Sequence, residues 1–248
     1  MTTEAFYKTL LTYIRKDTRG KSLTIDEFNE LIPVVNYELY NQLYDEWEKN
    51  QNITDDMSPF KVIGESLIIT ATKGDLTGLD YTYEHLIGKP RYSTGTTIDV
   101  VTAFEYADRF NDGLTKPSLT YPVCYVADDA GDLTLYVYPT GTSPVLIDYL
   151  RAPATPFLDY YINDTTYVVT YLDYDSDLIY PDDIALPSGS TYRDGTAGPS
   201  TINSITKDIE FGNDLEGRLL DLFLAKLGVQ QRDDLLIQYS NLEQQKQA

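Results

Sequence analysis

The sequence predicts an α+β protein: a helical bundle formed by the N- and C-terminal helices, with a central antiparallel β-domain. Three observations predict it. Apolar residues recur at helical spacing near both ends of the chain. In the middle, Leu133, Leu135 and Val137 alternate with Thr134, Tyr136 and Tyr138, as they do in a strand with one buried face. The polar connections "DDAGD" and "TGTS" separate three strand-like runs, "YPVCYVADD", "DLTLYVYP" and "PVLIDYLRAP", which suggests a meander. At 248 residues the chain can build one large domain or two small ones without covalent staples.

The elements follow in order. Phe6, Leu10, Tyr13 and Ile14 mark a first helix, with Thr3 placed to cap it, and Arg19-Gly20-Lys21 ends it. Thr24 to Glu27 has the form of a capping box, in which hydroxyl and carboxylate each satisfy an orphan amide. From there Phe28, Ile32, Val35, Leu39 and Leu43 form one stripe, and Pro33 predicts a kink or a restart. Tyr37, Tyr40 and Tyr44 recur on the same helix away from that stripe. A second, aromatic face predicts a contact with another subunit, since tyrosine joins a large ring to a hydrogen-bonding tip.

A polar connection, Asn50 to Pro59, leads into "SLIITATKG", which reads as a strand. "YTYEHLIGKP" and "RYSTGTT" read as irregular. Val100, Val101, Phe104 and Ala107 predict a short helix over 99–111. After the three strand-like runs, "TTYVVTYLDYDSDL" can supply another strand. Residues 187–200, rich in Gly, Ser and Thr between prolines, predict a mobile surface loop. Asn213, with Glu216 three residues on, predicts the start of a C-terminal helix along Leu215, Leu219, Leu222, Phe223 and Leu227, ended by Gly228. A last stripe of Leu235, Leu236, Tyr239 and Leu242 is short enough to be marginal alone, and reads as an arm that docks on a partner. The division implied is a helical arm at 1–60, a β-rich domain at 61–204 and returning helices at 205–248. No internal repeat of fixed period is evident.

Composition narrows the chemistry. A formal charge of −20 with no basic cluster argues against gripping nucleic acid, although acidic walls let a phosphate backbone pass without sticking. His85 is the only histidine, and no nucleophile elbow or phosphate-cradling glycine loop accompanies it. Cys124, the only cysteine, sits among valines in a predicted strand, which is the setting of an inert thiol. Asp173, Asp175 and Asp177 begin like a calcium loop, but Leu178 and Ile184 stand where its glycine and final carboxylate belong. No catalytic, cofactor-binding or metal-ligating residue is expected. The opening residues lack the form of a signal peptide, and no apolar run is long enough to span a membrane.

Several stretches in collinear order carry a resemblance: "TIDEFNELIPVVNYELYNQLYDEWEKNQNITDDMSPF", "TAFEYADRFND", "KPSLTYPVCYV", "LYVYPTGTSPVLIDYLRAPATP" and "DIEFGNDLEGRLLDLFLAKLGVQQRD". Together they resemble the neck proteins of crAss-like phages of Bacteroidetes. The order of helical arm, small β-domain and returning helices is also similar to the tail adaptors of short-tailed phages. The segment near 187–200 looks like an insertion, and "IEFGND" lacks the proline expected near Gly212. The resemblance implies a virion protein made in the host cytoplasm. It implies a closed ring of identical subunits, a dodecamer, between portal and tail. Its partners would be itself, the portal protein and other neck or tail rings, with DNA passing through unbound and no membrane involved. Such proteins have no catalytic site to carry over. A receptor- or glycan-binding tail protein is the alternative.

Overall fold

The computed structural model describes residues 1–16, 23–47, 55–139, 144–172 and 184–227. The expectations for Arg19-Gly20-Lys21, "TGTS", "DYDSD", Gly228 and the stripe of Leu235, Leu236, Tyr239 and Leu242 lie outside them. Four helices and thirteen strands occur among the described residues. In chain order they are α1 (Thr3–Lys16), α2 (Ile25–Asp45), β1 (Lys61–Leu67), β2 (Lys73–Asp75), β3 (Tyr83–Leu86), β4 (Arg91–Tyr92), β5 (Asp99–Val100) and α3 (Ala103–Asn111). There follow β6 (Val123–Asp129), β7 (Asp132–Tyr138), β8 (Val145–Arg151), β9 (Asp159–Asn163) and β10 (Val169–Leu172). The last are β11 (Ile184–Leu186), β12 (Ser190–Tyr192), β13 (Ser200–Ile202) and α4 (Glu216–Lys226). The class is α+β, with N- and C-terminal helices flanking a β-rich middle.

The chain forms two compact units, one of Met1–Asp56 with Pro153–Ala248, the other of Met57–Ala152. The helical unit therefore takes in residues 153–204, which the sequence grouped with the central strands. Hydrogen bonds explain this. Asn29 on α2 donates to Leu158 O (2.9 Å) and accepts from Leu158 N (2.9 Å), while the Tyr160 hydroxyl donates to Asp26 Oδ1 (3.0 Å).

In the helical unit, α1, α2 and α4 share an aromatic centre. The ring of Phe6 lies 6.3 Å from Phe28 and 6.2 Å from Phe223, and Phe28 stacks on Phe223 at 5.5 Å. Leu10, Leu39, Leu43 and Leu219 complete the core around them. The capping box at Thr24 is present: its hydroxyl accepts from Glu27 N at 3.2 Å, and its amide donates to the Glu27 carboxylate at 2.9 Å. No restart occurs at Pro33, because α2 continues through it to Asp45. Two of the expected caps differ. Thr2, not Thr3, accepts from the first turn of α1 through its hydroxyl (Ala5 N, 3.3 Å), leaving the Thr3 hydroxyl to bond Lys207 O at 2.7 Å. Asn213 opens a 3-10 turn that precedes α4 and makes no side-chain cap. The strands of this unit form one sheet ordered β10-β9-β12 and a β11-β13 ladder. Residues 187–200, expected as a loop, contain β12 with Ser190 and Tyr192 buried, the Ser190 hydroxyl donating to Pro187 O and the Tyr192 hydroxyl to Asp159.

In the other unit, β2-β7-β6-β5 forms one sheet, and β8 pairs with β1, β3 and β4 in another. The expected meander is thus partial: β6 and β7 form an antiparallel hairpin, but β8 leaves for its own sheet and β2 takes the other side of β7. Strands β3 and β4 come from segments read as irregular: β3 is half-buried throughout, and β4 is too short for alternation to show. Cys124, Leu135 and Val137 from one sheet join Val145, Ile147 and Tyr149 from the other in a single core.

Candidate interaction surface and buried polar centre

The most developed polar arrangement surrounds Asp159, a fully buried carboxylate at the start of β9. Its Oδ1 accepts from Tyr160 N (3.0 Å) and Arg193 Nε (2.7 Å). Its Oδ2 accepts from the Tyr192 hydroxyl (2.5 Å) and Ile205 N (3.0 Å). Four donors occupy both oxygens, so the group organises the structure around it. Asp159 N donates to Thr206 Oγ1 (3.0 Å), whose hydroxyl in turn bonds Leu172 O, so one residue ties β9, β12, the end of β10 and the segment at 204–206 together. Burial, and then the carboxylate beside it, push the Tyr192 hydroxyl up to about 12. The Arg193 guanidinium is held over the rings of Phe157 (5.0 Å) and Tyr192 (5.3 Å).

The only histidine and the only cysteine of the sequence sit in the β-rich unit. His85 lies on β3 opposite Leu150, and burial holds its imidazole below the usual histidine range, against the opposing charge of Glu84. Cys124 is fully buried on β6, and burial followed by the charge of Asp99 pushes its thiol up to about 12. A thiol that is neutral and enclosed is a poor nucleophile and a poor ligand. Among the described residues there is no cluster of acids, histidine or cysteine that can hold a metal ion. No described helix is long and apolar enough to cross a membrane.

The surface of the same unit is more informative. Alternation along β6 and β7 sends Cys124, Leu135 and Val137 into the core and Tyr125, Tyr136 and Tyr138 to the opposite face. There Tyr125 and Tyr136, cross-strand partners, stack at 4.8 Å with their planes 7° apart. Helix α3 rests on this face through Tyr106 on Tyr125 (4.7 Å) and Phe110 on Tyr138 (5.0 Å). Lys73 and Lys116 lie over Tyr136 and Phe110. A full capping box starts the helix: Thr102 Oγ1 accepts from Glu105 N (3.2 Å), and Thr102 N donates to Glu105 Oε2 (3.0 Å). The expected helix over 99–111 therefore begins later, because Asp99 and Val100 pair with β6 as a parallel strand.

Although α3 is anchored, none of its residues is buried. Phe104 is 76% exposed and Leu114, just beyond the helix, 96%; Phe110, Leu119 and Tyr121 are exposed as well. Asp112 fixes the chain after α3 by accepting from Leu114 N (3.0 Å) and from the Thr115 hydroxyl (2.7 Å). Phe104, Phe110, Leu114, Leu119 and Tyr121 thus expose apolar area on α3 and the segment after it, called the shelf below, and exposed apolar area is the raw material of a protein contact.

The sequence placed the subunit contact elsewhere, on α2. Tyr40 does not belong to such a face: it is 0% exposed, with its ring 5.9 Å from that of Tyr37. The reason is geometric. Asn36 and Leu43 are buried beside Val35 and Leu39, which widens the buried arc of α2 until it takes in Tyr40. Tyr37 remains exposed and Tyr44 half-buried. Asp159 carried no expectation from sequence, while Tyr192 and Arg193 were read as part of a loop and Phe104 as part of a helix stripe. Glu105, three residues after Thr102, was a legible signal for the start of that helix.

Compared with known proteins, the chain matches no family model, and no curated protein matches it.

Proposed function

We propose that this chain is a structural subunit of the bacteriophage neck, a member of a closed ring between portal and tail through which DNA passes. The collinear resemblance of its landmarks motivates the reading, and the exposed shelf of α3 and residues 112–121 carries it. Phe104, Leu114, Leu119 and Tyr121 stand outside the core, and a ring subunit needs apolar area for each neighbour. The partners proposed are further copies of the chain in a dodecamer, with the portal or another neck ring above or below. Tyr37 and Tyr44 are proposed as peripheral contacts, and Leu235, Leu236, Tyr239 and Leu242 as the segment that docks on an adjoining ring. The net charge of −20 suits a channel past which a polyanion must slide. Electron microscopy of particles with this chain tagged tests the reading: density at the neck supports it, and density on a tail fibre or spike overturns it in favour of a receptor- or glycan-binding role.

A further inference from the structure

One face of the β10-β9-β12 sheet in the helical unit carries an aromatic depression. Side chains alternate along a strand, so Tyr160 and Ile162 of β9 share a face, and Thr191 of β12 joins them as the cross-strand partner of Ile162. Arg193 and the turn residues Asp164 and Tyr167 complete a shallow hollow of about 480 Å³. Small-molecule sites hold roughly 300–1,000 Å³, so the space suits a small ligand and not a helix.

The hollow presents rings and withholds phenols. The Tyr160 hydroxyl donates to Asp26 Oδ1 (3.0 Å) and the Tyr192 hydroxyl to Asp159 Oδ2 (2.5 Å), so both groups are already committed. Tyr167 is the open ring: it is 79% exposed and sits at φ +56°, in the left-handed region where glycine or asparagine is the default. Its position is fixed, because Asn163 Oδ1 accepts from Thr165 N (3.0 Å) and Thr166 N (2.8 Å), and Tyr167 N donates to Asn163 O (2.8 Å). A ring held at a strained backbone position without gaining burial is the kind of outlier that clusters at ligand sites.

The charges exclude two ligand classes. Asp159 balances Arg193, and Asp164 and Asp194 stand nearby, so an anion finds no surplus of positive charge. Arg193 itself lines the hollow, so a quaternary ammonium meets a guanidinium there. The remaining hydrogen-bonding capacity suits a neutral polyol. Thr191 Oγ1 donates to one oxygen of Asp164 (2.8 Å), which leaves the other to accept, and Arg193 gives Nε to Asp159 (2.7 Å), which leaves its Nη groups to donate. An aromatic face for C–H groups beside donors and acceptors for hydroxyls matches the two sides of a sugar ring.

We propose that this depression is a saccharide subsite, in which a neutral pyranose lays its C–H face on the Tyr167 ring and directs hydroxyls to Asp164, Thr191 and the Nη groups of Arg193. The site goes beyond the ring reading above and does not depend on it.

Saturation-transfer NMR on the full-length protein tests this, with maltotriose, cellotriose and N-acetyllactosamine as neutral probes and sialyllactose as the anionic one, each at millimolar concentration. The expected result is transfer to the pyranose C–H protons of at least one neutral probe. Tyr167→Asn, which keeps a residue suited to the left-handed backbone, should leave Tm at or above that of the parent and weaken that binding roughly tenfold or more. Thr191→Val, of nearly the same shape, should weaken it several-fold with little change of Tm. Absence of transfer from every neutral probe overturns the proposal, as does stronger binding of sialyllactose. Binding that persists undiminished in Tyr167→Asn places the sugar elsewhere and overturns it too. None of these outcomes bears on the ring, which the location of the tagged chain in particles tests separately.

Discussion

Two turns in the molecule have nearly the same geometry and different surroundings. In the β-rich unit, Tyr92 N donates to Thr96 O (2.9 Å) and Gly95 N to Tyr92 O (2.8 Å), with Gly95 at φ +93°. In the helical unit, Tyr192 N donates to Thr196 O (2.8 Å) and Gly195 N to Tyr192 O (2.8 Å), with Gly195 at φ +92°. Each turn sits beside an arginine paired with an aspartate on the adjoining strand: Arg91 with Asp148 (2.6 Å) and Arg193 with Asp159 (2.7 Å). The difference lies in the acid. Asp148 is partly exposed and serves a backbone irregularity, accepting from Gly64 N (2.6 Å), while Tyr92 bonds Pro139 O instead of the carboxylate (2.5 Å). Asp159 is enclosed and receives its tyrosine directly. Short sequence fixes the turn, and long-range burial decides how much depends on it.

The largest effect should separate the two acids. Asp159→Ala strands Arg193, Tyr192 and two backbone amides, and breaking a buried pair costs roughly 4 kcal/mol. In a protein of this size that lowers Tm by roughly 10 °C. Asp148→Ala leaves groups that water can reach, so calorimetry should record a much smaller drop. Equal drops would erase the distinction between the turns.

The next effect is alkaline. Because the folded Tyr192 hydroxyl is pushed from an ordinary value near 10 up to about 12, its stabilising contribution is fully present below about pH 10 and lost as pH rises through about 12. Melting curves of the parent and of Tyr192→Phe should therefore differ most below pH 10 and converge toward pH 12. A gap that stays constant across that window would mean that burial and Asp159 do not hold Tyr192 protonated.

The smallest effect should be shared. A Cβ at Gly95 or Gly195 meets open space, so Gly95→Ala and Gly195→Ala pay only for the left-handed backbone, about 1 kcal/mol each. Similar small losses of Tm would confirm that the turns are locally equivalent, and a much larger loss at Gly195 would show that the surrounding hub constrains it further.

The same contrast explains what could be read from the chain. Signals contained within a few residues were legible: the capping box at Thr24, the stripe from Phe28 to Leu43, the β6–β7 hairpin around "DDAGD". The box at Thr102 was equally local, but apolar spacing through Val100 and Val101 hid it, because those residues continue a strand pairing and not a helix. Tyr40 was misplaced because a one-stripe view of α2 allots burial to about a third of its circumference, and the actual arc is wider. Residues 187–200 have the composition of a loop, yet Ser190 and Tyr192 are buried through partners such as Asp159 and Asn203. Asp159 lies 33 residues from Tyr192, and no local pattern encodes that pairing. The shelf was hidden for a related reason. Phe104 sits at helical spacing that normally signals a core, and only the fold leaves it outside.

The central proposal, a subunit of a closed ring, is tested most directly by the mass of the assembled protein. Native mass spectrometry of the full-length chain, alone and released from particles, should give one closed species of identical subunits, twelve by the family resemblance. A monomer or a fibre-type trimer in both preparations would contradict it.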